Sequence, residues 1–183
     1  MALPTSRNTS YVASDPVKSA DLNAVQDCII AAKHGDVILQ IGASSGQSDS
    51  VPTTATDYWR YYPSLSGAVP NCWLQVAAGG SVAFGIGLKI GDRIKSVRGF
   101  IRDTTGSHTI TMGLTDNSSS ADDATQVGST QTSAGNGTAQ TLAITGLTTT
   151  IVTGHFYSVI FSNTDATGTT HAIYGVEVTY DHP

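Results

Sequence analysis

After Gly35 the chain breaks into short runs rich in β-branched and aromatic residues: DVILQI, DYWRYY, NCWLQVA, SVAFGIG, DRIKSVRGFIRD, HTITMGLT, ATQVGSTQT, TAQTLAIT, HFYSVIFS and AIYGVEVTY. Clusters of Gly, Asn, Asp, Ser and Pro separate them and suit turns. Several runs alternate in polarity, and a period of two sends successive side chains to opposite faces of a strand. AIYGVEVTY sets Ile173, Gly175, Glu177 and Thr179 against Tyr174, Val176, Val178 and Tyr180, one mostly polar face and one apolar. RIKSVRGFIRD interleaves Ile94, Val97 or Ser96 and Phe100 with Lys95, Arg98 and Arg102, with a slip at Gly99 that reads as a β-bulge. About ten runs at intervals of roughly 8 to 15 residues, with no helical spacer, predict an all-β fold. The expected architecture is an antiparallel β-sandwich of jelly-roll type over residues 36–183.

Residues 1–35 follow other rules. Pro4 and Pro16 each bias the preceding residue away from the helical region, and no periodicity links them. An extended N-terminal arm is expected there, followed by one short α-helix. Ser19 suits the N-cap and Asp21 the first turn. Leu22, Val25, Ile29 and Ala32 form one apolar stripe, and Gly35 supplies the stop. Such a helix of about four turns is marginal alone in water, so its stripe must lie on something. Docking on a neighbouring subunit is the expectation, through Arg7, Asn8 and Tyr11 of the arm and Leu22, Val25 and Ile29 of the helix. The competing expectation is that the helix caps the open end of its own sandwich.

A chain of 183 residues suits one domain with an appendage. Only 13% of residues are charged, about half the usual share. A surface so neutral is expected to be partly covered, and self-association closed by symmetry, a trimer favoured, would cover it. The net charge of −5 without a Lys/Arg cluster argues against nucleic acid or an anionic membrane as partner. No stretch approaches the roughly 20 apolar residues that span a bilayer. MALPTSRNTS lacks the apolar core of a secretory signal, so synthesis in a cytoplasm is expected, the final location being a separate question. Cys28 and Cys72 are too few for a disulfide scaffold and read as reduced packing residues.

No motif establishes an enzyme. GASSG, residues 42–46, matches a nucleophile elbow around Ser44, but QSDSVPTT follows where that device needs a helix. GIGLKIG, residues 85–91, misses the dinucleotide spacing and reads as strand and turn. TDNSSSADD gathers Asp116, Asn117, Asp122 and Asp123, yet lacks the spacing and glycine of a calcium loop. The histidines are scattered, although His155 and His171 flank expected strands and have the option of approaching each other. No catalytic residue, metal site or cofactor is expected. The concentration of Tyr58, Trp59, Tyr61, Tyr62 and Trp73 admits three readings: core, protein interface, or a platform for sugar rings. Trp59, Tyr61 and Tyr62 are the platform candidates.

The opening run LPTSRN, Tyr11, PVKSADLN and Gln26–Asp27 resembles the start of small virion proteins of bacteriophages and prophage regions. The remainder, from GLKIGDRIKSVRGFIRD to AIYGVEVTYD, resembles β-sandwich modules of phage head and tail decorations. The resemblance implies a non-enzymatic structural protein of the virion, a capsid decoration or tail component bound to capsid or tail subunits. The alternative expectation is a carbohydrate-binding β-sandwich module using exposed Trp and Tyr residues.

Overall fold

A computed structural model describes residues 35–48, 59–62, 72–75, 80–104, 109–119, 124–135, 137–163 and 171–182. The expected arm and nearly all of the expected helix, residues 1–34, lie outside them. The strands are β1 (Val37–Gly42), β2 (Gly46–Ser48), β3 (Trp59–Tyr62), β4 (Cys72–Gln75), β5 (Ser81–Ile86) and β6 (Arg93–Asp103). They continue as β7 (Thr111–Ser118), β8 (Ala124–Thr132), β9 (Ala139–Ile144), β10 (Thr149–Thr150), β11 (His155–Ser162) and β12 (His171–Asp181). Each of the ten runs read from the sequence overlaps one of these strands. The two shortest, β2 and β10, carry too few residues to show a period.

All pairings are antiparallel and build two sheets. A seven-stranded sheet runs β10–β6–β12–β4–β3, with β9 also on β6 and β1 also on β12. A five-stranded sheet runs β2–β5–β11–β7–β8. From β4 onward the chain crosses between sheets at nearly every connection. The spatial orders β4–β12–β6–β9 and β5–β11–β7–β8 nest the later strands between the earlier ones. That is the jelly roll: two interlocked Greek keys closing a sandwich.

The core lies between the sheets. Val82, Phe84, Met112, Leu114, Val159 and Phe161 come from one, and Ile94, Val97, Ile101, Ile173, Val176 and Val178 from the other. Phe84 and Phe161 meet edge to face, with centroids 5.8 Å apart, the arrangement that aromatic quadrupoles favour. Gly99 faces inward in regular register with Val176 and Leu142, so it is not the expected bulge. A Cβ there would lie 2.5 Å from both Met112 Sδ and Phe161 Cζ, and the missing side chain makes room for them. Between β6 and β12 the irregularities fall where Ile173 gives way to Gly175 and Thr179 to Tyr180, and a further one lies between β7 and β8 at Met112 and Leu114. The first brings Ile173 onto the same inner face as Val176 and Val178. It corrects the simple alternation expected for β12. Phe100, expected with the apolar set of β6, is 37% exposed and points outward.

Where β6 ends and β12 begins, polar groups are buried. His171 Nδ1 lies 3.1 Å from Asp103 Oδ1, both side chains fully buried. Ser133 Oγ donates to Asp103 Oδ2 and accepts from the Ile110 amide at 2.8 Å. A buried carboxylate needs such partners, because removal from water is otherwise prohibitive. The cluster ties the chain after β8 to the ends of β6 and β12.

Candidate functional site

The two outer faces differ in chemistry. On the seven-stranded side Arg98 pairs with Glu177 across β6 and β12 at 3.4 Å. Arg93 makes two contacts with Asp181, at 3.0 and 2.5 Å. Lys95 reaches Asp36 at 2.5 Å. Hydrogen bonding to Asp181, reinforced by its charge, raises the Arg93 pKa above its ordinary value.

The five-stranded sheet carries one charged residue among those described, Asp116. Because Tyr157, Val159 and Phe161 are buried, Phe156, Ser158, Ile160 and Ser162 face outward from β11. The same alternation turns Ser81, Ala83 and Gly85 outward on β5, and Thr111, Gly113 and Thr115 on β7. Register aligns them in rows across the sheet: Gly85, Ser158, Thr115 and Gln126, then Ala83, Ile160 and Gly113, then Ser81, Ser162, Thr111 and Thr132. Small and hydroxyl side chains fill every row except at Ile160 and Gln126.

Several donors on this face are committed to the protein. Thr115 Oγ1 donates to the Ser158 carbonyl at 3.2 Å, and Thr111 Oγ1 to that of Ser162 at 3.1 Å. Asn117 Nδ2 donates to the Phe156 carbonyl at 3.4 Å, and Gln126 Nε2 to Gly128 O at 3.1 Å. Their oxygens retain lone pairs, so the face is rich in acceptors.

Gly85 and Gly113 add a second feature. A Cβ at either would meet nothing within 4 Å. A glycine inside a strand costs about 0.5–1 kcal/mol relative to alanine, and steric crowding does not demand these two. They keep the face bare.

At one end the face runs into a cleft of about 660 Å³, lined by Leu88 and Ile90 beyond β5, the Ile151–Gly154 turn, and the start of β11. Phe156 is 66% exposed, Ile90 68% and Val152 42%. Below them His155 Nδ1 lies 2.8 and 3.0 Å from the Asp116 carboxylate oxygens. The imidazole stacks on Tyr157 at 6.4 Å and 22°. Tyr157 donates to the Thr150 carbonyl at 3.3 Å. Burial pushes the Tyr157 phenol up, and Asp116 adds to the shift. The result is an apolar groove with a fixed polar floor, suited to holding a ring against Phe156.

Of the three readings of the aromatic cluster, Trp59 follows the core one and leaves the platform candidates. Trp59 is 2% exposed, sits in the core and donates its indole N–H to the Gly80 carbonyl at 3.3 Å. Tyr61 is partly buried and packs on Trp73, centroids 5.6 Å apart. Trp73 itself packs against the core and donates to Ala43 O at 2.8 Å. The period of two explains it, since Trp59 and Tyr61 share a strand face and that face turns inward. The Tyr62 side chain lies outside the described residues, as do Arg7, Asn8, Tyr11, Leu22, Val25 and Ile29.

Ser44 is exposed in a three-residue 3-10 helix followed directly by β2, not by the α-helix a nucleophile elbow requires. Asp116 is engaged by His155, while Asp122 and Asp123 lie outside the described residues. His155 and His171 sit at opposite ends of the sandwich. Cys72 is a free, buried thiol whose pKa is raised by burial and partly lowered by the Arg102 charge. The residue that sequence reasoning missed is Phe156. Its signal was present in HFYSVIFS, where it falls out of phase with Tyr157, Val159 and Phe161.

No family model matches the chain, and no curated protein matches it either. Among solved structures it is similar to a family 35 carbohydrate-binding module from Clostridium thermocellum, at 11% identity over 78% of this chain and 97% of that one, TM-score 0.50. The C-terminal family 6 carbohydrate-binding module of LamC, a laminarinase of Zobellia galactanivorans, gives 12%, 78%, 99% and 0.48. The enzymatically active domain of bacteriophage CBA120 tailspike protein 4 gives 13%, 78%, 19% and 0.42. At such identities the likeness is one of fold, a β-sandwich.

Proposed function

We propose that this chain is a non-catalytic binding module for carbohydrate, held on the outer face of the five-stranded sheet and in the cleft beside Phe156. One observation carries the reading: a charge-free face of small polar residues ends at an aromatic side chain 66% exposed. A pyranose ring has an apolar C–H side that packs on an aromatic face, and a rim of hydroxyls that donate to oxygen acceptors. The groove offers both. The fold, shared with the family 35 module, is compatible with this use but supplies no ligand. Calorimetric titration of the full chain against a panel of soluble oligosaccharides tests the reading. A ligand is expected whose affinity falls at least tenfold in Phe156→Ala, with the melting temperature unchanged. Silence across the panel, or an unaffected Phe156→Ala, overturns it.

The second reading is the virion one, a self-associating structural protein of a phage particle. The same charge-free face favours it, since such a surface is readily covered by another copy. Light scattering on the full chain decides between them. A defined oligomer dispersed by Thr115→Lys supports packing through this face, and a monomer that binds glycan supports the first reading.

A further inference from the structure

Resting on the carbohydrate reading, we infer that the ligand is a neutral glycan, and that chains bearing carboxylate or sulfate groups are rejected. The first ground is where positive charge sits. Arg93, Lys95 and Arg98 belong to the opposite sheet and pair with Asp181, Asp36 and Glu177. Among the described residues the strands of the five-stranded sheet carry no lysine or arginine. Lys89 lies between Leu88 and Ile90 on the connection beside the cleft, but the cleft lining does not include it.

The second ground is the direction of the hydrogen bonds. Thr115 donates its hydroxyl to the Ser158 carbonyl, and Gln126 directs its amide nitrogen at Gly128 O and Thr130 Oγ1, so both keep an oxygen as acceptor. A carboxylate or sulfate ester brings only acceptors, so at Thr115 and Gln126 it meets lone pairs where it needs protons or cations. A sugar hydroxyl brings a proton and is matched. The one charge on the strands of this sheet, Asp116, shares its phase with the inward-facing Met112 and Leu114, is paired with His155 and lies outside the cleft lining, so it offers an anion no counter-charge. The two grounds are independent and agree in sign.

The test compares neutral hexasaccharides of β-1,4-linked glucose, xylose and mannose with hexagalacturonate, on the full chain at pH 7 and low salt. At least one neutral hexasaccharide is expected to bind tenfold or more tightly than hexagalacturonate. Thr115→Lys places a cation in the central row. It is expected to raise hexagalacturonate affinity at least tenfold, in a form that salt abolishes. Ser158→Lys serves if that variant fails to fold. Hexagalacturonate binding the unaltered chain as tightly as the best neutral ligand overturns the inference while leaving the carbohydrate reading intact. Loss of that binding in Lys89→Ala would then locate it on the β5–β6 connection. Failure of both ligand classes to bind removes the carbohydrate reading, and this inference falls with it.

Discussion

The two sheets of this sandwich share one core and differ almost completely in what they turn outward. The seven-stranded sheet concentrates the charges, with Arg93, Lys95, Arg98, Arg102, Glu177 and Asp181 on β6 and β12. Arg93–Asp181 and Arg98–Glu177 span its neighbouring strands β6 and β12. Among the described residues the strands of the five-stranded sheet carry Asp116 as their one charge, and their outer face is serine, threonine, glycine and amide around Ile160 and Phe156. Strand packing requires neither surface. A sandwich needs apolar inner faces and is indifferent to which polar residues coat the outside. The contrast therefore points away from stability and toward use. A charged face resists association, whereas a bare neutral one with an exposed aromatic at its end invites a ligand.

The largest effect is expected where charge is buried and not displayed. Asp103→Ala would leave His171 and Ser133 without their carboxylate partner in a fully buried setting. Breaking a buried pair costs about 3–5 kcal/mol, measurable by urea denaturation. A loss below about 1 kcal/mol, the range of exposed pairs, would show that the cluster does not hold the two sheets together.

Next come the glycines, which separate the faces directly. Gly99→Val on the inner face drives a side chain into Met112 and Phe161, and about 2–3 kcal/mol should be lost. Gly113→Val on the outer face meets open space and should change stability by less than about 0.5 kcal/mol, in either direction. The same Gly113→Val is expected to weaken ligand binding. If it destabilises as much as Gly99→Val, the outer glycine serves packing, and the argument for a bare binding face loses one support.

These residues also show how far the sequence could be read. HFYSVIFS has one phase, and its alternation alone sends Phe156 out and Tyr157, Val159 and Phe161 in. DYWRYY alternates too, but its inward phase is set by pairing with β4, which sequence does not reveal, so core, interface and platform all stayed open for Trp59. In AIYGVEVTY a local slip against β6 moved Ile173 to the opposite face. Gly99 looked like an interruption because its reason lies on another strand, in Met112 and Phe161. The fold was legible because periodicity is local. The site was not, because registering Gly85, Ser158, Thr115 and Gln126 into one row takes strands far apart in sequence.

A smaller effect concerns Tyr157, whose phenol is pushed up by burial and by Asp116. Below about pH 10 the phenol is protonated in both states, so its contribution to stability is fully present. Above that the unfolded chain ionises first, and stability should fall as pH rises through the higher folded value. Tyr157→Phe should flatten this alkaline loss in a pH series of denaturation midpoints. An unchanged slope would mean that Asp116 and the buried site do not restrain the phenol.

The smallest stability change is expected on the charged sheet. The Arg98 side chain is 55% exposed and its contact with Glu177 spans 3.4 Å. Such a pair is screened by water and salt, and a double-mutant cycle on Arg98→Ala and Glu177→Ala should return about 0.5 kcal/mol or less. Raising the salt concentration should erase even that. A coupling above about 1 kcal/mol would mean that this face is built for strength, and its contrast with the five-stranded face would then reflect a division of structural work. A value near zero leaves the charges with a different role, keeping one side of the sandwich hydrated and free of partners. On the carbohydrate reading proposed above, the ligand then has a single face on which to settle.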